Sequence, residues 1–393
     1  MGDGGLAYWV LGNGSLTANP ESRSPIPSHT IRTMFDVIII GAGAMGSAAA
    51  YHLAKDKRRV LLLEQFGIGH TRGSSHGESR IFRYAYPQLS YAQFAMRCKP
   101  MWRELEAEAG ETLLRDTGGL DFANEPAAFA EVNEVAQSLA AAGGAYEILD
   151  RAALARRFPQ FTLGADAMGV YSPDAGVLNA TRCVLAMSSL AARRGAVVQE
   201  NEAVRDLIPH QNSVEVVTDA GRYTAAKVIV TAGAWVNTLL GRVGIKLPVR
   251  VSQEQVVYFT PRHADGFMPG AFPIWIHHRA KGDHAYGFPI MGRPGAKIAF
   301  HHDGNFVDDI SRYTATPSEA VTARLREYIR THIPELDGAA FDPTACLYTT
   351  MPDESFIVEV AANAPNVIIG SPCSGHGFKF AIGVGRALAD LAG

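Results

Sequence analysis

Residues 35–64 read FDVIIIGAGAMGSAAAYHLAKDKRRVLLLE and combine a strand, a glycine turn, a helix and a second strand. The apolar run at 37–40 is typical of a strand that is buried on both faces of a parallel sheet. Gly41, Gly43 and Gly46 follow it directly. In this spacing the first glycine permits a tight turn, the second lets the backbone approach a pyrophosphate, and the third lets the next helix pack closely on the strand. The stretch predicts a dinucleotide-binding unit, with the phosphates at the helix N-terminus.

Two further features support a bound dinucleotide. Glu64 follows the second strand, residues 60–63, where a carboxylate accepts a hydrogen bond from a ribose hydroxyl group and disfavours a 2′-phosphate. Residues 227–233, KVIVTAG, predict another buried parallel strand, and its small carboxyl-terminal residues also let a cofactor come close. Both NAD and FAD fit such a unit, so the glycine motif leaves the choice between them open.

The overall composition is that of a globular protein of 393 residues, of which 47% are hydrophobic and 19% charged. A chain of this length buries sizeable cores and divides into two or three domains. Its net charge of −3 gives no basic field for nucleic acid or an anionic membrane, and no apolar stretch reaches the about 18 residues that span a bilayer. We therefore expect neither nucleic acid nor a membrane as a partner.

The cysteines and the two ends of the chain bear on its location. The four cysteines are widely spaced and form no CxxC pair, which indicates a reducing compartment. Residues 1–33 are rich in Gly, Ser, Pro and Asn and lack the basic start of a signal peptide. We expect a disordered extension there, with a targeting sequence as the less favoured alternative. Residues 391–393 are not a peroxisomal signal, so we expect a cytoplasmic protein.

Three nitrogen-bearing side chains occur close together after the second strand. The stretch QFGIGHTRGSSHGESRIFRYAYPQ predicts a loop followed by a helix, on which His76, Arg80 and Arg83 stand at i, i+4 and i+7. Such a stripe would bind an anion, either a substrate carboxylate or the charge on a reduced flavin. The alternative is a solvated helix face that pairs with Glu78 and its neighbours.

A lysine lies within a predicted strand at residues 296–301, AKIAFH. Alternation places Lys297, Ala299 and His301 on one face. A buried ammonium group is costly without a partner, so Lys297 is functional if it faces inward and an ordinary surface residue if it faces outward. Alternation also puts His301 and His302 on opposite faces, which makes them a poor metal pair. No other group in the sequence has metal-ligand spacing, and we expect no metal.

Two more candidates lie near the carboxyl end. Residues 345–348, ACLY, predict a short strand with Cys346 and Tyr348 on the same face. A final helix over 378–391 places Lys379 in its first turn. There the charge of the lysine adds to the positive end of the helix and makes a second anion site, the alternative being an ordinary surface cation.

Five motifs, in this order and spacing, give the sequence a specific resemblance: GAGAMG, HGESRIFRYAY, GFPIMGRPGAKIAFH, CLYTTMPDESFIVE and SGHGFKFAIGVG. They resemble the FAD-dependent monomeric sarcosine oxidase and N-methyltryptophan oxidase family from about residue 35 to the end of the chain. The resemblance implies FAD linked through its 8α-methyl group to the thiol of Cys346. Cys373 departs from the pattern, because the family usually has an apolar residue there.

The resemblance also assigns roles to the other candidates. The implied site residues are Arg83 and Lys379 on the substrate carboxylate, Arg80 close to the flavin, Lys297 as the oxygen-activating group, and His76, His301 and Tyr348 lining the same site. We therefore predict an oxidase of secondary amino acids, such as sarcosine or another N-methyl amino acid. It would act through an imine and reduce O₂ to H₂O₂. The alternatives are a flavin amine dehydrogenase, a cyclic imino acid oxidase of the pipecolate type, and a non-catalytic flavin-binding subunit.

The strands, the helices and the resemblance predict an α/β fold class, or α+β overall. The resemblance also implies a monomer. A Rossmann-like FAD-binding domain would comprise residues 34–88, 155–240 and 345–393. A discontinuous substrate domain, residues 89–154 and 241–344, would be built on a mixed or antiparallel sheet. The active site would lie between the two domains.

Overall fold

Two large β-sheets and one small one organise the chain. This computed structural model describes residues 34–280 and 284–393, so the extension predicted at 1–33 lies outside the described residues. The strands are β1 (Met34–Ile40), β2 (Val60–Leu63), β3 (Arg80–Phe82), β4 (Leu114–Asp116), β5 (Gly119–Ala123), β6 (Glu147–Leu149), β7 (Met168–Ser172), β8 (Gly176–Leu178), β9 (Val197–Gln199), β10 (Val204–Pro209), β11 (Val214–Thr218), β12 (Arg222–Val230), β13 (Arg250–Phe259), β14 (Ile274–His278), β15 (Ala285–Gly287), β16 (Ala296–Phe300), β17 (Asn305–Phe306), β18 (Ala340–Thr350), β19 (Ile357–Val360) and β20 (Val367–Ser371).

The α-helices cover the sheets. They are α1 (Ala44–Lys55), α2 (Leu89–Ala109), α3 (Phe129–Ala142), α4 (Arg151–Arg157), α5 (Ala180–Arg193), α6 (Val236–Leu240), α7 (Glu319–His332) and α8 (Ala381–Leu391), and a 3₁₀ turn, Phe378–Phe380, leads into the last of them. None of the helices in the described part of the chain combines the length and the apolar character that spanning a bilayer requires.

The first sheet contains the predicted dinucleotide-binding unit. Its order is β10-β11-β12-β1-β2-β9, and β20 pairs with both β12 and β19. β1 runs parallel to β2 and to β12, as expected from its continuous apolar run. Val37 and Ile39 belong to the core beneath α1, α5 and α8, whereas Ile38 and Ile40 belong to the core on the other face. The prediction that this strand is buried on both faces is therefore confirmed.

The second sheet has the order β17-β13-β16-β15-β14-β5-β7-β6, with β18 also paired to β13. Its pairs are antiparallel except for β5 with β14, which makes the sheet mixed, as predicted. The third sheet, β3-β8-β4, is small. β7 and β18 pair in the second sheet. Strand sequences do not encode their partners, and these two could not be assigned from pattern alone.

The helix predicted for the segment after β2 is wrong. His76 lies in an irregular loop, Arg80 begins β3, and Arg83 follows its end. Gly69 and Gly77 adopt positive φ angles of 82° and 101°, which interrupts any helix, and β3 instead pairs with β8. The three side chains therefore share no helical stripe. They reach one cavity because the loop folds over the N-terminus of α1.

Candidate active site

A single cavity of about 1650 Å³ joins the glycine turn to the second sheet. It exceeds the roughly 300–1,000 Å³ of an ordinary small-molecule pocket, which leaves room for a dinucleotide and a small substrate. The predicted site residues that line it are Gly41, Gly43, Glu64, His76, Arg80, Arg83, Lys297, His301, Cys346, Tyr348 and Lys379. Gly46 does not line it and lies where α1 packs on β1.

The glycine turn is shaped for close approach of a ligand. Gly41 has a φ of 99°, and a Cβ on it would lie 2.5 Å from the carbonyl oxygen of Thr231. A Cβ on Gly46 would lie 1.9 Å from the carbonyl oxygen of Gly41, so α1 packs this closely on the end of β1 only because residue 46 is glycine. The backbone N–H of Ala44 donates to Ser75 Oγ at 3.0 Å, so the loop after β2 covers the start of α1.

Glu64 is buried at the carboxyl end of β2. Its Oε2 accepts from the backbone N–H of Ala42 at 2.8 Å, and its Oε1 accepts from the backbone N–H of Phe66 at 3.0 Å. The carboxylate therefore orients the glycine turn as well as facing the cavity. The small residues after β12, Thr231 and Ala232, line the same end, as the KVIVTAG motif predicts. These features fit the pyrophosphate and ribose of a dinucleotide.

Lys297 lies inside the protein. It is 4% exposed, and its Nζ donates a 2.7 Å hydrogen bond to the backbone carbonyl of Ser79. The ammonium also lies 4.1 Å from the centre of the Phe288 ring. Burial and the charge of Arg80 hold the pKa of Lys297 well below its ordinary value. The alternative that this lysine faces solvent is wrong.

Arg80 and His76 lie beside Lys297. Arg80 donates to the backbone carbonyls of Ser79 and Ser74, each at 2.9 Å, so neutral partners hold its charge in the cavity wall. His76 is 5% exposed, and its Nε2 has no hydrogen-bond partner among the described residues. Burial and the charge of Arg80 lower the pKa of His76 to about 4, which leaves the ring neutral near pH 7. A buried ring nitrogen without a partner is suited to a ligand in the cavity.

Cys346 and Tyr348 both face the cavity from β18, as alternation predicts. Burial raises the pKa of the Cys346 thiol, and the charges of Arg80 and Lys297 oppose that rise. The Tyr348 ring lies 5.7 Å from the His301 ring. Strand β18 thus places the thiol of Cys346 near two cations, Arg80 and Lys297.

The two predicted carboxylate anchors meet at Tyr86. Lys379 is 5% exposed, and its Nζ donates to the Tyr86 hydroxyl group and to the backbone carbonyl of His376, each at 2.7 Å. The Arg83 guanidinium lies 4.6 Å from the centre of the Tyr86 ring. Burial and the charge of Arg83 hold the pKa of Lys379 well below its ordinary value. Lys379 is therefore not a surface cation.

Sequence reasoning missed Asp121. This carboxylate is 1% exposed, accepts a hydrogen bond from Arg83 Nη1 at 2.8 Å, and lies 2.9 Å from His278 Nε2. The signal is a single carboxylate in the otherwise apolar stretch 118–122, GGLDF, whose pattern predicts a strand. A charge within a buried strand needs a partner, and here Arg83 and His278 supply it.

The prediction that His301 and His302 face apart is wrong. β16 ends at Phe300, and His302 has a φ of 56°, so strand alternation no longer applies. Their ring centres lie 4.1 Å apart, and His302 Nε2 lies 3.3 Å from Glu354 Oε1. Tertiary structure thus assembles histidine and carboxylate groups that sequence spacing did not indicate.

Fold and cavity together define an oxidoreductase that uses a dinucleotide cofactor. Residues 36–391 match the family described as FAD dependent oxidoreductase. The chain belongs to this family, and within it to the sarcosine oxidase group, which confirms the predicted family, fold class and cofactor, FAD.

Relatives and solved structures agree with this assignment. The chain is 34% identical to a peroxisomal sarcosine oxidase of Homo sapiens over 92% of this chain and 93% of that protein. It is 35% identical to a monomeric sarcosine oxidase of Bacillus sp. (strain B-0618) over 92% of each chain. The open form of NikD, an amino acid oxidase essential for nikkomycin biosynthesis, superposes with a TM-score of 0.80 at 27% identity, over 91% of this chain and 94% of that one.

Proposed function

We propose that this FAD-dependent oxidoreductase oxidises secondary amino acids, sarcosine or another N-methyl amino acid, with O₂ as the acceptor and H₂O₂ as a product. The observation that carries the proposal is the pair of cations, Arg83 and Lys379, that meet at Tyr86 inside the cavity. A small amino acid has one carboxylate to offer such a pair. The sarcosine oxidases that the chain resembles support the same substrate class.

The residues that would hold the cofactor lie along the cavity. The glycine turn and the start of α1 would take the pyrophosphate, and Glu64 would take the ribose. Cys346 would form an 8α-S-cysteinyl link, since its thiol lines the cavity beside Arg80 and Lys297, whose charges oppose the rise in its pKa that burial causes. When bound, the flavin accepts two electrons from the substrate C–N unit.

The substrate would be oriented by its carboxylate. Arg83 and Lys379 bind that group and thereby fix the distance of the amine from the Lys297 end of the cavity. The Tyr86 hydroxyl group already accepts from Lys379 at 2.7 Å, so the ammonium is held in place before the substrate arrives. Pre-positioned donors lose little entropy when the substrate binds.

Lys297 and Arg80 would act on the oxygen half-reaction. Each is held by neutral backbone carbonyls and, among the described residues, not by a carboxylate, so the charge of the arginine, and that of the lysine while it is protonated, would be left to stabilise an anion. The lowered pKa of Lys297 also makes the ammonium a proton donor. His76, His301 and Tyr348 would line the reacting centre. Burial and the adjacent His302 hold the pKa of His301 well below its ordinary value, so this ring adds no charge.

The proposal extends to the organisation of the protein. The first sheet would form the FAD-binding domain, the second sheet would form the substrate domain, and the cavity would lie between them. The four cysteines are free, which agrees with a cytoplasmic protein. We expect a monomer, in line with the bacterial relatives that are named monomeric.

The test is to measure H₂O₂ from the purified holoenzyme with sarcosine, other N-methyl amino acids and pipecolate in air-saturated buffer. We expect peroxide in step with consumption of an N-methyl amino acid. Flavin bleaching without peroxide formation would instead establish a dehydrogenase. Peroxide with pipecolate alone would contradict the assignment of an N-methyl amino acid as substrate, and absence of bleaching by every amine would contradict the enzymatic role.

A further inference from the structure

Two histidines and a glutamate converge beside the carboxylate anchors. His278 is the last residue of β14, His284 precedes β15, and Glu131 lies in the first turn of α3. Glu131 Oε1 lies 3.2 Å from His278 Nδ1 and 3.3 Å from His284 Nε2. All three residues line the large cavity. We refer to them as the His–His–Glu cluster.

Asp121 determines the protonation pattern of His278. A carboxylate can only accept, so the 2.9 Å contact requires the hydrogen on His278 Nε2. The other ring nitrogen, Nδ1, is buried and makes no hydrogen bond. It lies 3.2 Å from Oε1 of Glu131. A cation bound between Nδ1 and this oxygen would satisfy both atoms.

The spacing of the cluster suits a tetrahedral metal ion. Zn–N bonds of about 2.0–2.1 Å place neighbouring ligand atoms of a tetrahedron roughly 3.3–3.4 Å apart. The two contacts to Glu131, at 3.2 and 3.3 Å, are close to that length, and the three ligand atoms all lie within 4.8 Å of one another. Since all three residues line the cavity, water from it would supply the fourth ligand.

The hydrogen-bond partner of His278 is also of the kind that a metal-bound histidine usually has. A metal-bound histidine usually donates its other N–H to a carboxylate, which holds the ring in place and increases the basicity of the ligating nitrogen. Asp121 is this carboxylate for His278, and it also accepts a hydrogen bond from Arg83 Nη1 at 2.8 Å. The other histidine–carboxylate group, at His301, His302 and Glu354, is more exposed.

We propose that Glu131, His278 and His284 bind one divalent transition-metal ion, with Zn²⁺ as the best match, and that Asp121 is its outer-shell partner. The bound ion would fix Asp121 and thereby the position of Arg83. This site goes beyond the proposed oxidase function, whose chemistry uses the flavin and requires no metal.

The experiment uses the flavin-loaded full chain, stripped with a chelator, dialysed and then titrated with Zn²⁺. Bound zinc is measured by mass spectrometry after gel filtration. We expect one Zn²⁺ per wild-type chain, and much weaker binding in Glu131→Gln and His284→Gln. Asp121→Asn should weaken binding about 10–100-fold, as loss of an outer-shell partner does.

Two matched variants act as controls. His302→Gln removes the competing histidine–carboxylate group, and His263→Gln removes an exposed histidine that pairs with Glu335 at 3.1 Å. Both should bind zinc as wild type does. No stoichiometric zinc on wild type, unchanged binding in Glu131→Gln and His284→Gln, or loss of binding in His302→Gln would each overturn the proposal. The flavin spectrum of every variant verifies that it has folded.

Discussion

Arg83 Nη1 lies 2.8 Å from Asp121 Oδ1, so the predicted substrate anchor already faces a buried carboxylate. The arginine therefore has two tasks. It compensates the charge of Asp121, and it lines the cavity. Lys379, whose two hydrogen-bond partners are neutral, would supply, while it is protonated, a positive charge that Asp121 does not offset. Under the proposed function, substrate recognition and stability would thus be coupled at this one side chain.

Replacing the arginine should separate these two tasks. In Arg83→Ala we expect KM for the N-methyl substrate to rise roughly 100-fold, because charge-assisted hydrogen bonds worth about 3 kcal/mol are lost. The unpaired Asp121 should also lower the free energy of unfolding by about 3 kcal/mol. The double variant Arg83→Ala/Asp121→Asn should recover stability without recovering KM. Unchanged KM in either variant would mean that the anchor is elsewhere.

Lys297, on β16, should affect the reaction of the reduced flavin with oxygen and have little effect on oxidation of the amine. In Lys297→Met, reduction of the flavin by substrate should stay fast, while reoxidation by O₂ should slow by about 10²–10³-fold because a buried charge is lost. Stopped-flow absorbance measures both steps. The matched control is Lys227→Met, which removes a lysine bonded to the carbonyl of Pro365. Normal reoxidation in Lys297→Met would refute the proposed role.

Flavin attachment should depend on Cys346 alone. After acid denaturation, wild-type protein should give a yellow pellet and an intact mass increased by one FAD. Cys346→Ser should release its flavin into the supernatant, and Cys373→Ser should keep it in the pellet. The reverse result would assign the link to Cys373, whose thiol also lines the cavity.

The glycine turn offers a test of close packing. In Gly46→Ala the new Cβ would lie 1.9 Å from the carbonyl oxygen of Gly41, so we expect a loss of about 3 kcal/mol in the free energy of unfolding and no bound flavin. Gly221→Ala is the control, because a Cβ there meets nothing within 4 Å. Denaturant unfolding and the flavin to protein ratio are the measurements. A Gly46→Ala protein that keeps its flavin would contradict the packing argument.

Carboxylate binding should depend on pH through Lys379. The lysine is a cation below its pKa, and burial with the charge of Arg83 holds that pKa well below the ordinary value. Acetate, followed by flavin absorbance, should therefore bind more weakly as pH rises through this lowered pKa. Lys379→Met should bind acetate weakly at every pH. If the affinity for acetate fell equally with rising pH in wild type and in Lys379→Met, another group would be titrating.

Several parts of the site could be predicted because their cause is local. Burial of β1 follows from four adjacent apolar residues, and Cys346 and Tyr348 face the cavity together because strand side chains alternate. The inward position of Lys297 was open from pattern alone and rested on the resemblance. The helix predicted for His76, Arg80 and Arg83 failed, because spacing that suits a helix says nothing of the glycines that adopt positive φ within it.

The sequence by itself determined the dinucleotide-binding unit, the family and the cations of the site, since a glycine turn and its flanking elements depend on neighbours within about thirty residues. Tertiary structure alone decided that Asp121 meets Arg83 and that Glu131, His278 and His284 converge. These contacts depend on which strands pair: β5 lies parallel to β14, and that places Asp121 opposite Ile276. Strand pairing at long range is set by the whole packed core, which residue types and spacing do not encode.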